Sequence, residues 1–232
     1  MSIVIKNKFQ YPKTVREAIE GHRHYAVGQE KLPSVTTVLG ETKDKKFLED
    51  WKKRVGEQQA EKIKNDAAAR GSVMHHILEE YIIGNKHVDL TSNGKKASVM
   101  AQIIIDKGLS KVDSVYGIEA VMHYPGLYAG SADLVGVHQG EDAIMDFKQT
   151  NKPKQEAWIG DYFLQLAAYG MAHDYVYGTK INKGVIMMCS IDNYYQEFIV
   201  EGEKFRYYKH EFLRRLDQYY GIPTNNTSTQ DS

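Results

Sequence analysis

The stretch AIMDFKQTNKPK, residues 143–154, ends an apolar run with an acid and a lysine on either side of a phenylalanine. Side chains two apart in an extended strand share a face, so Ile144, Asp146 and Lys148 point one way while Ala143, Met145 and Phe147 point the other. The two charges are neighbours by construction, where a buried strand should be finishing. The text before it reads as two more strands, VYGIEAVMHY and LYAGSADLVGV, joined by a Pro125-Gly126 turn and linked onward by HQGE. Connections this short force antiparallel neighbours, and they let Asp133 lie across from the charged pair. Two carboxylates that close repel unless something positive sits between them, and Mg²⁺ does this with oxygen ligands. The Asp133, Asp146 and Lys148 cluster therefore reads as half of a metal site suited to phosphodiester hydrolysis.

Asp-x-Lys alone is common. Asp44-Lys45-Lys46 and Asp50-Trp51-Lys52 carry it in or beside a helix, where it means a solvated charge pair. The third copy differs by its surroundings. Upstream, ARGSVMHHILEE puts Gly71, His75 and Glu79 four apart, along one face of a helix expected over 66–83 with Val73, Ile77 and Tyr81 on one side. Downstream, DYFLQLAAYGMA puts Gln165 and Tyr169 four apart, with Asp161 a turn earlier and Leu164, Ala168 and Met171 on the other side.

The remaining text is mostly helical before Val112 and mixed after it. Residues 1–33 are irregular, with a hairpin at Gly28 in HRHYAVGQEKLPSV. Ser34 caps a short helix, and DKKFLEDWKKRV forms an amphipathic one on Phe47, Trp51 and Val55, closed by Gly56. GKKASVMAQIIIDKG is a further helix ended by Gly108. After the charged strand come a helix over 155–175, strands KGVIMMCSI and YYQEFIV hinged at Asp192-Asn193, and a last helix over 203–219. The expected division is a helical N-terminal region over 1–65 packed on a core over 66–220, with a disordered polar tail over 221–232.

The 232 residues carry 30 basic and 30 acidic side chains, so no global field draws a polyanion and any nucleic-acid contact must use local basic patches. KDKK, WKKR, KIK and NKPK supply such patches, with Trp51, Trp158, Tyr162 and Tyr128 as candidate base-stacking aromatics. One cysteine, Cys189, permits neither an internal disulfide nor a four-cysteine cluster, the usage of a reducing, cytoplasmic compartment. No stretch approaches the length of a membrane span, and the first residues lack a signal or organelle presequence.

The ordered set Gly71-x3-His75-x3-Glu79, Gly130-x2-Asp133, Asp146-Phe-Lys148 and Gln165-x3-Tyr169 resembles the RecB-like branch of the PD-(D/E)XK nuclease superfamily. The flanking LPSVTTVLGET, the tryptophan-bearing basic helix, FKQTNKPK and EFLRRLDQYY extend the likeness over roughly 32–220, toward mitochondrial exonucleases and their phage and bacterial relatives. The resemblance implies an α/β core of helix, three antiparallel strands, helix and strand, a mixed sheet flanked by helices. It implies that His75, Asp133, Asp146 and the Phe147 carbonyl hold Mg²⁺ or Mn²⁺, with His76 an alternative to His75 and with Asp133, Asp146 and Lys148 as the catalytic set. It implies that Gln165 and Tyr169 position DNA, joined here by Arg70, Gln149, Lys152 and Lys154. The family's proline before the first acid is Ala132. The expected activity is a monomeric, metal-dependent exonuclease on single-stranded DNA with a free end, without an iron-sulfur cluster or a membrane. The missing presequence favours a bacterial or phage setting. The competing expectations are a flap or junction endonuclease on the same core and a DNA-binding module that does not cleave.

Overall fold

The computed structural model describes residues 3–222, so nearly all of the polar tail lies outside the described residues. A five-stranded sheet in the order β4-β5-β6-β7-β8 forms the centre, built from β4 (Val112–Tyr124), β5 (Tyr128–His138), β6 (Glu141–Thr150), β7 (Lys183–Ser190) and β8 (Tyr195–Glu201). The first three strands form an antiparallel meander through the expected tight turns, with Gly126 and Gly140 at positive φ. Helix α5 (Gly160–Tyr177) then carries the chain back, so β7 pairs parallel to β6. A crossover of this length is what parallel pairing requires. Together with α3 (Glu57–Ile82) this is the helix, three strands, helix, strand order of the PD-(D/E)XK core, as a mixed sheet between helices.

Alternation along β6 divides the core. Ala143, Met145 and Phe147 pack with Met74, Leu78 and Ile82 of α3 and with α4 (Ser92–Lys107), while Ile144 packs with Phe163 and Ala167 of α5 and with Phe205 of α6 (Gly202–Tyr219). The buried stripe of α3 lies one residue on from the expected one: Met74, Leu78 and Ile82 go inside and Tyr81 is exposed. The reason is that α4 and the sheet press on the same flank of the helix.

Residues 15–33, expected to be irregular apart from one hairpin within a mostly helical 1–65 region, form a three-stranded antiparallel sheet, β1 (Val15–Ile19), β2 (His22–Val27) and β3 (Glu30–Pro33). Its first turn, Glu20-Gly21, has both residues at positive φ, a two-residue hairpin geometry usually announced by Asn or Asp in place of Glu20. The second hairpin turns at Gly28 as expected. Tyr25 and Leu32 seat this sheet on Ala129 of β5. Ser34 caps α1 (Val35–Thr42), its Oγ accepting from the Thr37 N–H at 3.0 Å. Helix α2 (Lys46–Val55) and the first turns of α3 follow; of residues 46–69 only Ala60 is fully buried among those described.

Candidate active site

The site exists because two strands part. Pairing of β5 with β6 ends at Leu134↔Met145, whereas β6 continues along β7 as far as Thr150↔Ser190. Beyond Met145 the β5-facing backbone of β6 needs other partners. Asp133 supplies one, its Oδ2 accepting from the Phe147 N–H at 2.6 Å, and a ring nitrogen of His75, Nε2, stands 2.9 Å from the Phe147 carbonyl. The other ring nitrogen, Nδ1, is 3.3 Å from Asp133 Oδ1. Asp133, Phe147 and His75 thus form a closed triangle between α3 and the opened sheet. His76 points elsewhere, toward Glu79 and the ring of His87.

Asp146, 1% exposed, follows on β6. Its Oδ2 pairs with the Lys148 ammonium, and Gln165 Nε2 lies 3.5 Å from its Oδ1. Lys148 also sits 5.0 Å from the ring centroid of Tyr162, at the start of α5. Lys148 and Tyr162 open on a cleft of about 830 Å³, whose walls also include Gly71, His75 and Glu79 of α3 and Gln149 of β6.

Charges in so buried a cluster depend on one another. Burial alone would lower the pKa of His75, but the Asp133 carboxylate, its hydrogen bond and Asp146 outweigh this and push it up to about 9. Burial works against ionised Asp133 too, yet His75, Lys148 and the Phe147 N–H hold its pKa below the ordinary value. Asp146 is the strained member: burial and the neighbouring Asp133 carboxylate raise it to about 6 despite Lys148. Lys148 is raised against its own burial by Asp146 and Asp133. Two carboxylates are thus held together by an imidazolium and an ammonium.

Glu119, on β4, did not emerge from the sequence. It, His75 and Asp133 present one nitrogen and two carboxylate oxygens within 4.8 Å of one another. A donor set of imidazole, carboxylates and a carbonyl suits Mn²⁺ or Mg²⁺. Glutamates are ordinary on exposed strand faces, and only the pairing of β4 with β5 carries this one to Asp133.

Several residues expected to touch DNA are engaged otherwise. Arg70 is buried, donating from Nε to Gln149 Oε1 at 2.9 Å and from a terminal nitrogen to Asn151 Oδ1 at 2.5 Å. Gln149 also donates to the Ala67 carbonyl at 3.0 Å, so its amide is satisfied and shapes the cleft wall. Tyr169 is 3% exposed and reaches the site only through Gln165, which donates to its hydroxyl at 3.0 Å. Tyr128 is a core residue bonded to the Ala168 carbonyl. Lys152 and Lys154 lie in the turn after β6 and outside the cleft wall, and Gln196 ties down the backbone of Lys154 in both directions.

Gly130 precedes Asp133 for a packing reason. A Cβ there would stand 2.4 Å from Cε1 of the Tyr169 ring, which has no room to retreat. Gly130→Ala is expected to destabilise the fold by about 1–3 kcal/mol, measured by urea denaturation. It should also lower activity, because the displaced Tyr169 carries Gln165 and hence Asp146 with it.

No protein-family model matches the chain. It is 27% identical over 232 residues to mitochondrial genome maintenance exonuclease 1 of Xenopus tropicalis, covering 92% of this chain and 63% of that protein. It is 28% identical over 206 residues to the human protein of the same name, covering 81% and 58%. The chain therefore spans about three-fifths of the length of these curated relatives. Among solved structures, a candidate exonuclease from Eubacterium rectale aligns over 68% of this chain and 69% of its own at TM-score 0.44 and 15% identity. This is a loose likeness, and the fold is recognised from the chain's own strand order. In sequence and strand order the chain is similar to exonucleases of the PD-(D/E)XK type.

Proposed function

We propose that this chain is a Mg²⁺- or Mn²⁺-dependent deoxyribonuclease that degrades single-stranded DNA from a free end, acting as a monomer. The observation that carries the reading is the convergence of His75, Asp133, Asp146 and Lys148 where β5 and β6 part, with His75 and Lys148 lining an open cleft and the two aspartates buried against them. His75, Asp133, Asp146 and the Phe147 carbonyl would hold the cation. When bound it would polarise a phosphoryl oxygen and neutralise charge on it. Lys148, held by Asp146 and facing the cleft beside Tyr162, is placed to orient the attacking water or to neutralise charge developing on the phosphate. Gln165 and Tyr169 act from beneath by fixing Asp146.

The end-dependent reading draws on the same wall. Ala67, Ala68 and Gly71 of α3 line the cleft, and the exposed first half of α3 and basic α2 extend beyond it. A strand passing under this projection would meet Lys52, Lys53 and Arg54 of α2. The Lys152 and Lys154 ammoniums would draw it toward the end of β6.

End-labelled single- and double-stranded linear DNA, and circular single-stranded DNA, incubated with Mg²⁺, Mn²⁺ or EDTA test the reading. Linear single strands should shorten progressively with either cation, EDTA should stop the reaction, and circles should survive. Degradation in EDTA overturns the metal assignment. Steady cutting of circles makes the protein an endonuclease, and no cleavage of any substrate leaves a binding module.

A further inference from the structure

Glu119 has surroundings unlike those of an ordinary strand residue. It adopts φ +45° where the β4–β5 register runs from Ile118↔Leu134 to Ala120↔Ala132, a costly conformation for a residue with a Cβ. Ser131 donates to its Oε2 at 2.9 Å, and Arg16 of β1 donates to the same oxygen at 2.8 Å. Glu79 stands beside it, its own carboxyl pushed up to about 7 by burial and by Glu119. The cation paired with Glu119 thus comes from outside the central sheet. Arg16 lies opposite Tyr25 in the small N-terminal sheet, its side chain is 51% exposed, and it lines the cleft.

Glu119 Oε2 already accepts from both Arg16 and Ser131, and a divalent ion held by the same carboxylate would repel the adjacent guanidinium and compete with it for the charge. An exposed ion pair contributes little, so exchange is easy. A released guanidinium on the cleft wall is well suited to a phosphate, which it can grip with two parallel bonds.

We propose that Glu119 is a cation ligand of this site and that Arg16 is its exchangeable counter-ion, passing from Glu119 to a phosphate of the strand when the cation arrives. The proposal rests on the nuclease reading above. Its consequence is reciprocal linkage: the cation frees a group for the strand, and the strand frees a group for the cation.

The test crosses two variants with two ligands, using the full chain: Mn²⁺ without DNA, by calorimetry, and a short single-stranded oligonucleotide in EDTA, by fluorescence anisotropy. Glu119→Gln should weaken Mn²⁺ binding by about 10- to 100-fold while tightening oligonucleotide binding, because Arg16 is freed. Arg16→Ala should tighten Mn²⁺ binding by about 2- to 5-fold and weaken the oligonucleotide. Arg16→Lys, with thermal unfolding of each variant, controls for loss of fold and should lie between wild type and Arg16→Ala. Affinities that stay put, or that move in the same direction for both ligands in either variant, overturn the proposal. Asp133→Asn separates the two readings. If it abolishes Mn²⁺ binding and Glu119→Gln does not weaken it, only this inference fails; if Asp133→Asn also leaves binding unchanged, the metal-dependent nuclease reading fails with it.

Discussion

Lys148→Ala lowers turnover by about 10²- to 10³-fold, the range for removing one preorganised electrostatic partner of a transition state, while DNA binding persists. The expectation follows from where the ammonium is held. It is paired with Asp146, influenced by Asp133, and placed at the cleft beside the Tyr162 ring. Removing it also leaves two buried carboxylates with less compensation, so the metal-free variant should melt below wild type. Saturating Mn²⁺ should narrow that gap, because the cation supplies the missing positive charge. Lys148→Met keeps the aliphatic stem and controls for lost packing. Single-turnover cleavage and anisotropy on the same oligonucleotide give the answer, and a loss of binding that matches the loss of turnover would make Lys148 a structural residue.

Cation affinity should rise steeply with pH. His75 faces acceptors at both ring nitrogens, Asp133 Oδ1 and the Phe147 carbonyl, and its pKa is pushed up to about 9. At neutral pH it is therefore an imidazolium, and a cation that takes one of its nitrogens must displace a proton. Apparent affinity for Mg²⁺ should climb by up to about tenfold per pH unit from about 7 to 9 and then level off. Calorimetry in two buffers of different ionisation enthalpy should record about one proton released at pH 7. The stability of the metal-free protein carries the opposite sign. His75 has a raised folded pKa, so its contribution is complete below the ordinary value of 6.5 and is lost as pH climbs through about 9. A flat affinity profile with no proton released would remove His75 from the ligand set.

Much of the fold could be read from local pattern. The β6 alternation and the short turns at Gly126 and Gly140 dictate an antiparallel meander, and the helix read before β7 leaves the length for the parallel return of the mixed sheet that the family resemblance implied. Helical spacing likewise brings Gly71, His75 and Glu79 to one wall of the cleft. Elsewhere the pattern misled. Charged residues obscure the alternation of β1, and Glu20-Gly21 makes a hairpin turn without the residue types that usually signal one. Arg70 looked available to DNA by its position and charge, whereas Gln149 and Asn151 take up its donors in a buried network. Tyr128 reads as a candidate for stacking on bases because spacing does not reveal depth, and it is packed inside.

By itself the sequence determined which residues share a strand face or a helix face, and hence that Asp146 and Lys148 are neighbours with Asp133 close at hand. Those relations depend on backbone periodicity, a property of a few consecutive residues. Only the tertiary structure decided where the β5–β6 ladder stops, that the freed Phe147 backbone turns to Asp133 and His75, and that Glu119 and Arg16 meet beside them. Strand separation and the docking of one sheet on another are set by packing between segments far apart in the chain, which no local period encodes.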